Sequence, residues 1–167
     1  MPDLRQQLTE TLTGRVCLFG LGNVDLGDDA FGVRLAEAVQ TKLRSGSLRV
    51  ILAGTQPERW LGRLGSDPLD HLVMLDAVQG DLEPGAVLFV GSAALASLFP
   101  QVSTHRLSLN LLAKLMEAET GAQVWLLGVQ PETLRPGAVL SAAVRGTLEL
   151  LVEWLDEALS DEQVLTV

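Results

Sequence analysis

Two adjacent carboxylates close a glycine-rich turn, Gly20-Leu21-Gly22-Asn23-Val24-Asp25-Leu26-Gly27-Asp28-Asp29. Asp76 follows a wholly apolar run, Leu72-Val73-Met74-Leu75, and His105 stands in Ser103-Thr104-His105, just ahead of an apolar stretch that begins at Leu107. Carboxylates and imidazole are the side chains that move protons near neutral pH. They are also ligands for a divalent ion. For one ion to be shared, the side chains of residues 29, 76 and 105 must converge to within about 4–7 Å, each roughly 2 Å from the metal.

Each of these residues also has an ordinary role. Asp28 and Asp29 can serve as an N-cap and a first-turn charge for the helix that follows. On spacing alone that is the commoner use, and periodicity does not say which acid would cap and which would point outward. A carboxylate at the end of a buried strand, as at Asp76, needs a donor, a cation or a metal. Backbone N–H groups of a neighbouring turn are as good a partner as an ion. Thr104 or Ser103 can cap a helix starting at Leu107. His105 would then lie at a helix N-terminus, which disfavours imidazolium and leaves a neutral lone pair. An exposed first-turn histidine is the plainer reading. His71 precedes the third strand, opposite Asp76, and reads as a surface residue. Two carboxylates and one imidazole make a set that nickel or zinc accepts.

The elements that must position these groups follow from hydrophobic periodicity. Val16-Cys17-Leu18-Phe19 reads as a strand, followed by a helical stripe at Phe31, Leu35, Val39 and Leu43. A strand, a tight turn and a helix put Asp28 and Asp29 at the edge where open α/β sheets bind ligands. Arg49–Leu52 is a second strand. Thr55-Gln56-Pro57-Glu58 reads as a capping box for a short helix ending near Gly65. Leu72–Leu75 suits a strand covered on both faces, and Ala86–Val90 is a fourth strand. The loop between them is too short for a parallel crossover, so strand four is expected to run antiparallel to strand three. Val124–Leu127 is strand five. Ser141 can cap a last helix with an apolar stripe at Val144, Leu148, Leu151, Leu155 and Leu159, and Arg145 and Glu149 make an exposed pair on it. Leu4, Leu8 and Leu12, followed by Gly14, predict a helix lying on the domain. The expectation is a three-layer α/β/α fold with a twisted, mixed five-stranded sheet. Residues 1–14 form an N-terminal helical extension, 15–160 a single domain and 161–167 a frayed tail.

Composition narrows the function. The 167 residues are 47% hydrophobic and carry a net charge of −9, from 21 acids against 12 Lys and Arg. No nucleic-acid partner and no membrane insertion are expected from such a chain. A lone Cys17 inside strand one excludes an intrachain disulfide and fits a reducing compartment, so the protein is expected in the cytoplasm. There is no HExxH, CxxC, GxSxG or P-loop. GxGxxG fails at Asp25, and no acid follows strand two.

Four segments in order resemble one family. Gly20-Leu21-Gly22-Asn23 with Gly27-Asp28-Asp29-Ala30-Phe31-Gly32-Val33 is similar to the opening motif of the hydrogenase maturation endopeptidases. Leu75-Asp76-Ala77-Val78 with Gly80 and Pro84-Gly85 resembles their second motif, Thr104–Leu109 their third, and Leu127-Gly128-Val129-Gln130-Pro131-Glu132 the strand that follows. Gly54–Glu58 and Ser103–His105 look most like the branch serving formate-hydrogenlyase-type hydrogenases. The resemblance implies an aspartic-type endopeptidase that trims the C-terminal extension from a [NiFe]-hydrogenase large-subunit precursor once nickel is inserted. It implies Asp29, Asp76 and His105 as catalytic and metal-contacting residues. The nickel belongs to the substrate, and the free enzyme is metal-free or holds a substitute ion. A monomer is expected. N–H groups of the glycine turn offer themselves as an oxyanion site. Leu52-Ala53 stands where relatives often show Asp-Gly, and the segment before Arg15 is longer than many relatives carry. The rival readings are a non-catalytic nickel- or precursor-binding chaperone and a nucleoside hydrolase or phosphorylase. The last would want base-stacking aromatics, but the chain has no Tyr and only Phe31 beside the motifs.

Overall fold

Alternate residues of a strand face opposite sides of a sheet, and the apolar runs of this chain sort into two cores on that rule. A computed structural model describes residues 3–43, 46–98 and 108–160. The strands are β1 (Val16–Leu21), β2 (Leu48–Gly54), β3 (His71–Ala77), β4 (Val87–Gly91) and β5 (Gln123–Val129), in the order β2-β1-β3-β5-β4. The helices are α1 (Leu4–Thr11), α2 (Phe31–Lys42), α3 (Leu61–Leu64), α4 (Leu95–Leu98), α5 (Leu109–Thr120) and α6 (Ala142–Leu159). Val16, Leu18, Val73, Leu75, Leu127 and Val129 face Leu8, Leu35, Val39, Leu151 and Leu155 of α1, α2 and α6. Cys17, Phe19, Leu72, Met74, Val124 and Leu126 face Leu64, Leu95, Leu112 and Met116 of α3, α4 and α5. Three layers result, with the central strands β1 and β3 buried on both faces. Burial of a large side chain of this kind contributes about 1.5–3 kcal/mol. Cys17 is a core residue, and burial pushes its thiol up to about 12.

The mixed sheet has one antiparallel pair, β4 on β5. The short loop after Asp76 correctly reverses strand four, but β5 lies between it and β3. Local details differ from the sequence reading in four places. Thr55 opens no capping box: a 3₁₀ turn over Pro57–Trp60 starts from Gln56 without a side-chain cap. The helix expected from Leu107 starts at Leu109, where Ser108 Oγ accepts from the Leu111 N–H at 3.1 Å. Arg145 donates to the Leu140 carbonyl at 3.2 Å rather than reaching Glu149. His71 is half-buried, and its Nδ1 accepts from Trp125 Nε1 at 3.2 Å. The tail 161–167 and the segment carrying His105 lie outside the described residues. No helix among the described residues is long and apolar enough to cross a membrane.

Topology locates the functional edge. β1 leads through α2 to β2 on one side, while β3 pairs with β1 on the other. The carboxyl ends of β1 and β3 therefore flank a switch point, where such sheets bind ligands. Gly32, in the first turn of α2, lets the helix sit directly on that edge. A Cβ there would overlap the carbonyl oxygens of Leu75 in β3 and Leu21 in β1. Gly32→Ala is expected to lower unfolding stability by about 2–3 kcal/mol, read as a lower urea midpoint at unchanged slope. An unchanged midpoint would mean that α2 can lift without cost.

Candidate active site

The glycine turn is built to present one carboxylate and bury the other. Gly22 holds φ at +117°, a conformation L residues avoid, and a Cβ on it would overlap the Asp29 carbonyl oxygen. Asn23 folds the turn on itself. Its N–H donates to Asp29 Oδ2 at 2.7 Å, and its Oδ1 accepts from the Asp25 N–H at 2.9 Å. A 3₁₀ turn over Gly27–Ala30 then leads into α2 and packs against β3. Asp29 is half-buried. One of its oxygens is fixed by the Asn23 amide; Oδ1 has no hydrogen-bond partner among the described residues.

Asp28 has the opposite fate. It is fully buried. Its Oδ2 accepts from the N–H groups of Glu132 (2.9 Å) and Thr133 (3.1 Å) and from the Ser141 hydroxyl (2.8 Å). Its Oδ1 accepts from the Ser141 N–H at 2.7 Å. Burial pushes this carboxyl up, but the Ser141, Glu132 and Thr133 amides and the Ser141 hydroxyl outweigh it and hold Asp28 below the usual carboxylate range. The Asp28 N–H returns a bond to the Thr133 carbonyl at 2.8 Å. The Ser141 Oγ also accepts from the Val144 N–H as the N-cap of α6. Asp28 therefore ties the glycine turn to the loop between β5 and α6. Neither acid caps α2, so the expected capping role is not the one the turn uses.

Asp76 is the penultimate residue of β3, at 1% exposure. It has the parity of Leu72 and Met74 and so lies on the face covered by α3, α4 and α5. Its Oδ1 accepts from the Ala77 N–H at 2.9 Å. The loop beyond it is shaped by Gln130, a buried amide that the sequence reading left without a role. Gln130 Oε1 accepts from the N–H groups of Gly80 (2.8 Å) and Leu82 (3.2 Å), and its Nε2 donates to Gln79 Oε1 at 2.8 Å. The available signal was a polar residue directly after an apolar strand, the same signal that singled out Asp76.

Asp29 and Asp76 thus stand at the carboxyl edge of neighbouring parallel strands. His105 lies outside the described residues. Among those that are described, no group of three His, Cys, Asp or Glu is gathered to hold a metal. The chain re-enters the described structure at Ser108, the cap of α5. Only Gly121 and Ala122 separate α5 from β5, so the helix runs back along that strand and its first turn lies toward the same carboxyl edge. The expectation that a helix end keeps His105 neutral falls outside the described residues. Six N–H groups of the glycine turn are engaged internally, which takes them out of the expected oxyanion role. The N–H groups of Gly22, Leu26, Asp28 and Asp29 donate to backbone carbonyls, and those of Asn23 and Asp25 to side-chain oxygens.

Comparison with known proteins gives consistent matches. The model of the hydrogenase maturation protease family HycI matches residues 33–157, a span that includes Asp76 and His105 and begins just after Asp29. The chain is 30% identical over 155 residues to the hydrogenase 2 maturation protease of Escherichia coli K12, covering 90% of this chain and 93% of that protein. It is 27% identical over 139 residues to the hydrogenase 3 maturation protease of the same strain, covering 83% and 87%. The crystal structure of the [NiFe] hydrogenase maturation protease HycI from Thermococcus kodakarensis KOD1 superposes with a TM-score of 0.83 at 30% identity, covering 92% of this chain and 98% of that one.

The Asp28 clasp has a measurable pH signature. Its carboxyl is lower in the folded than in the unfolded chain, so its stabilisation is complete above about pH 4 and is lost as pH falls through the folded value. Asp28→Asn turns an NH₂ toward amide donors and is expected to cost about 2–3 kcal/mol at neutral pH. It is also expected to flatten the acid limb of stability, measured by urea melts from pH 7 to 3. A variant as stable as the parent would refute the clasp.

Proposed function

This chain belongs to the hydrogenase maturation protease family, and we propose that it removes the C-terminal extension of a [NiFe]-hydrogenase large-subunit precursor after nickel insertion, with Asp29, Asp76 and His105 meeting the metal that the precursor carries. The observation that supports this reading is the division of labour between Asp28 and Asp29. One acid is saturated by internal donors. The other keeps Oδ1 open at the switch point of the sheet. A carboxylate held on one side and open on the other is pre-oriented for an external cation or for a water.

In this reading nickel is part of the substrate. Contact with the metal fixes the precursor against the rim, and the scissile peptide is thereby held in place; positioning of this kind lowers a barrier substantially. The Asp29 oxygen held by Asn23 cannot swing away, so its partner oxygen keeps one direction. Asp76 sits on a strand end whose following loop is fixed by Gln130, which limits its freedom as well. An open carboxylate oxygen takes a proton from the attacking water as it adds to the peptide carbonyl. The carboxyl so formed gives that proton to the leaving amine as the C–N bond breaks. Empty precursor lacks the ion that these ligands meet, and the same chemistry thereby distinguishes mature from immature substrate.

Asp29→Asn, Asp76→Asn and His105→Ala are each expected to slow trimming of nickel-loaded precursor by at least about 10²-fold, followed by gel shift and by mass analysis of the released peptide. Asp29→Asn should leave the thermal midpoint nearly unchanged, because its Asn23 contact survives through the amide oxygen. Metal-free precursor should remain uncut. Trimming at parental rate by any of the three variants would remove that residue from the site, and efficient cutting of metal-free precursor would end the nickel-gating reading. A parent protein that binds loaded precursor without turnover would indicate the chaperone alternative.

A further inference from the structure

Positive charge is scarce in this chain, 12 Lys and Arg against 21 acids, yet three arginines share one corner of it. Arg49 lies in β2, and Arg59 and Arg63 lie in the helical turns that follow. A pocket of about 280 Å³ opens there, lined by Ala53, Gln56, Arg59, Trp60 and Arg63. The Arg63 guanidinium lies over the Trp60 ring at 5.4 Å from its centroid, a cation–π contact that limits its rotamers. Arg49 supports the group from beside it. Its Nη2 reaches the Arg63 carbonyl at 3.5 Å, and its Nη1 is buried without a hydrogen-bond partner, 3.9 Å from an Asp67 oxygen. Arg59 and Arg63 are exposed and pair with no carboxylate among the described residues. Glu58, in the same turn, is the nearest acid in sequence and is itself exposed.

The pocket neighbours the glycine turn through β2. Ala53 lines it, and the next residue, Gly54, accepts the Gly22 N–H at 3.0 Å. The arginines therefore stand one strand away from the glycine turn, beside the end of β2. We propose that this pocket docks a carboxylate-bearing segment of the hydrogenase large-subunit precursor, orienting it while the rim engages the cleavage region; this rests on the function proposed above. A chain of net charge −9 repels an acidic partner over most of its surface. A local patch of unpaired guanidinium groups reverses that sign at one place and sets the approach. The planar fork of arginine matches a carboxylate with two bonds, and the Trp60 face and the arginine stems pack the apolar part of the segment.

The experiment is steady-state trimming of nickel-loaded precursor by Arg59→Glu and by the Arg59→Glu/Arg63→Glu pair. Lys114→Glu on the exposed side of α5 is the charge-matched control, and Arg59→Lys the charge-preserving one. The expected result is a KM raised about tenfold in the double variant, kcat within about twofold of the parent and a weaker dependence of KM on salt, as for contacts made on approach. Lys114→Glu should stay near the parent, and Arg59→Lys, which keeps the charge but loses the fork, should raise KM less than Arg59→Glu. A double variant with parental KM and parental salt dependence overturns the pocket while the protease reading stands. If the parent itself does not trim, binding of the same precursor is measured directly. Equal affinity of parent and double variant, or no binding by either, also overturns the proposal, and in that case the function proposed above has failed separately.

Discussion

A single buried carboxylate joins the two halves of the functional rim. Asp28 accepts four hydrogen bonds, all from the segment between β5 and α6. Burying a charge is costly unless its lone pairs are satisfied. Here the donors are amides and a hydroxyl with no compensating cation, so the group is stable only in this geometry. That makes the clasp directional. The glycine turn, the β5–α6 loop and the cap of α6 must close together or not at all. The Gly137 N–H bond to the Asp25 carbonyl at 2.8 Å adds a second stitch along the same seam.

The clasp matters for chemistry because Asp29 is its neighbour in the chain. One peptide unit separates a carboxylate with no freedom from one with an open oxygen. Gly22 and Asn23 close the remaining degree of freedom by holding the Asp29 backbone and its Oδ2. The rim is thus preorganised by backbone contacts that require Gly at two places. At Gly22 the φ is positive; at Gly32 two strand carbonyls meet the helix. A charged rim held in this way needs little reorganisation when a ligand arrives.

Much of this was legible in the sequence, for reasons that can be traced to particular residues. Unbroken apolar runs at Val16–Phe19 and Leu72–Leu75 announced strands covered on both faces, and they lie at the centre of the sheet. The nine residues between β3 and β4 are too few for a crossover, and β4 is antiparallel. What the sequence hid was partner choice. Nothing local says that strand five inserts beside strand three, because that depends on non-local pairing. Nothing local says that Asp28 reaches residues more than a hundred positions away. Thr55 and Ser103 looked like caps because capping is read from short windows, whereas Gln56 and Ser108 start those turns once packing sets the helix bounds.

Topology forces the two adjacent acids apart. Residue 28 points toward α6 and residue 29 remains at the crevice between β1 and β3, because a 3₁₀ turn rotates successive side chains by about a third of a circle. An α-helical start at Gly27 would change that angle. Gly27 opens that turn at a positive φ, and a Cβ on it would crowd the Thr133 carbonyl oxygen. The buried and the open carboxylate are thus placed by a turn that needs, two residues upstream of Asp29, a glycine that carries no chemistry of its own.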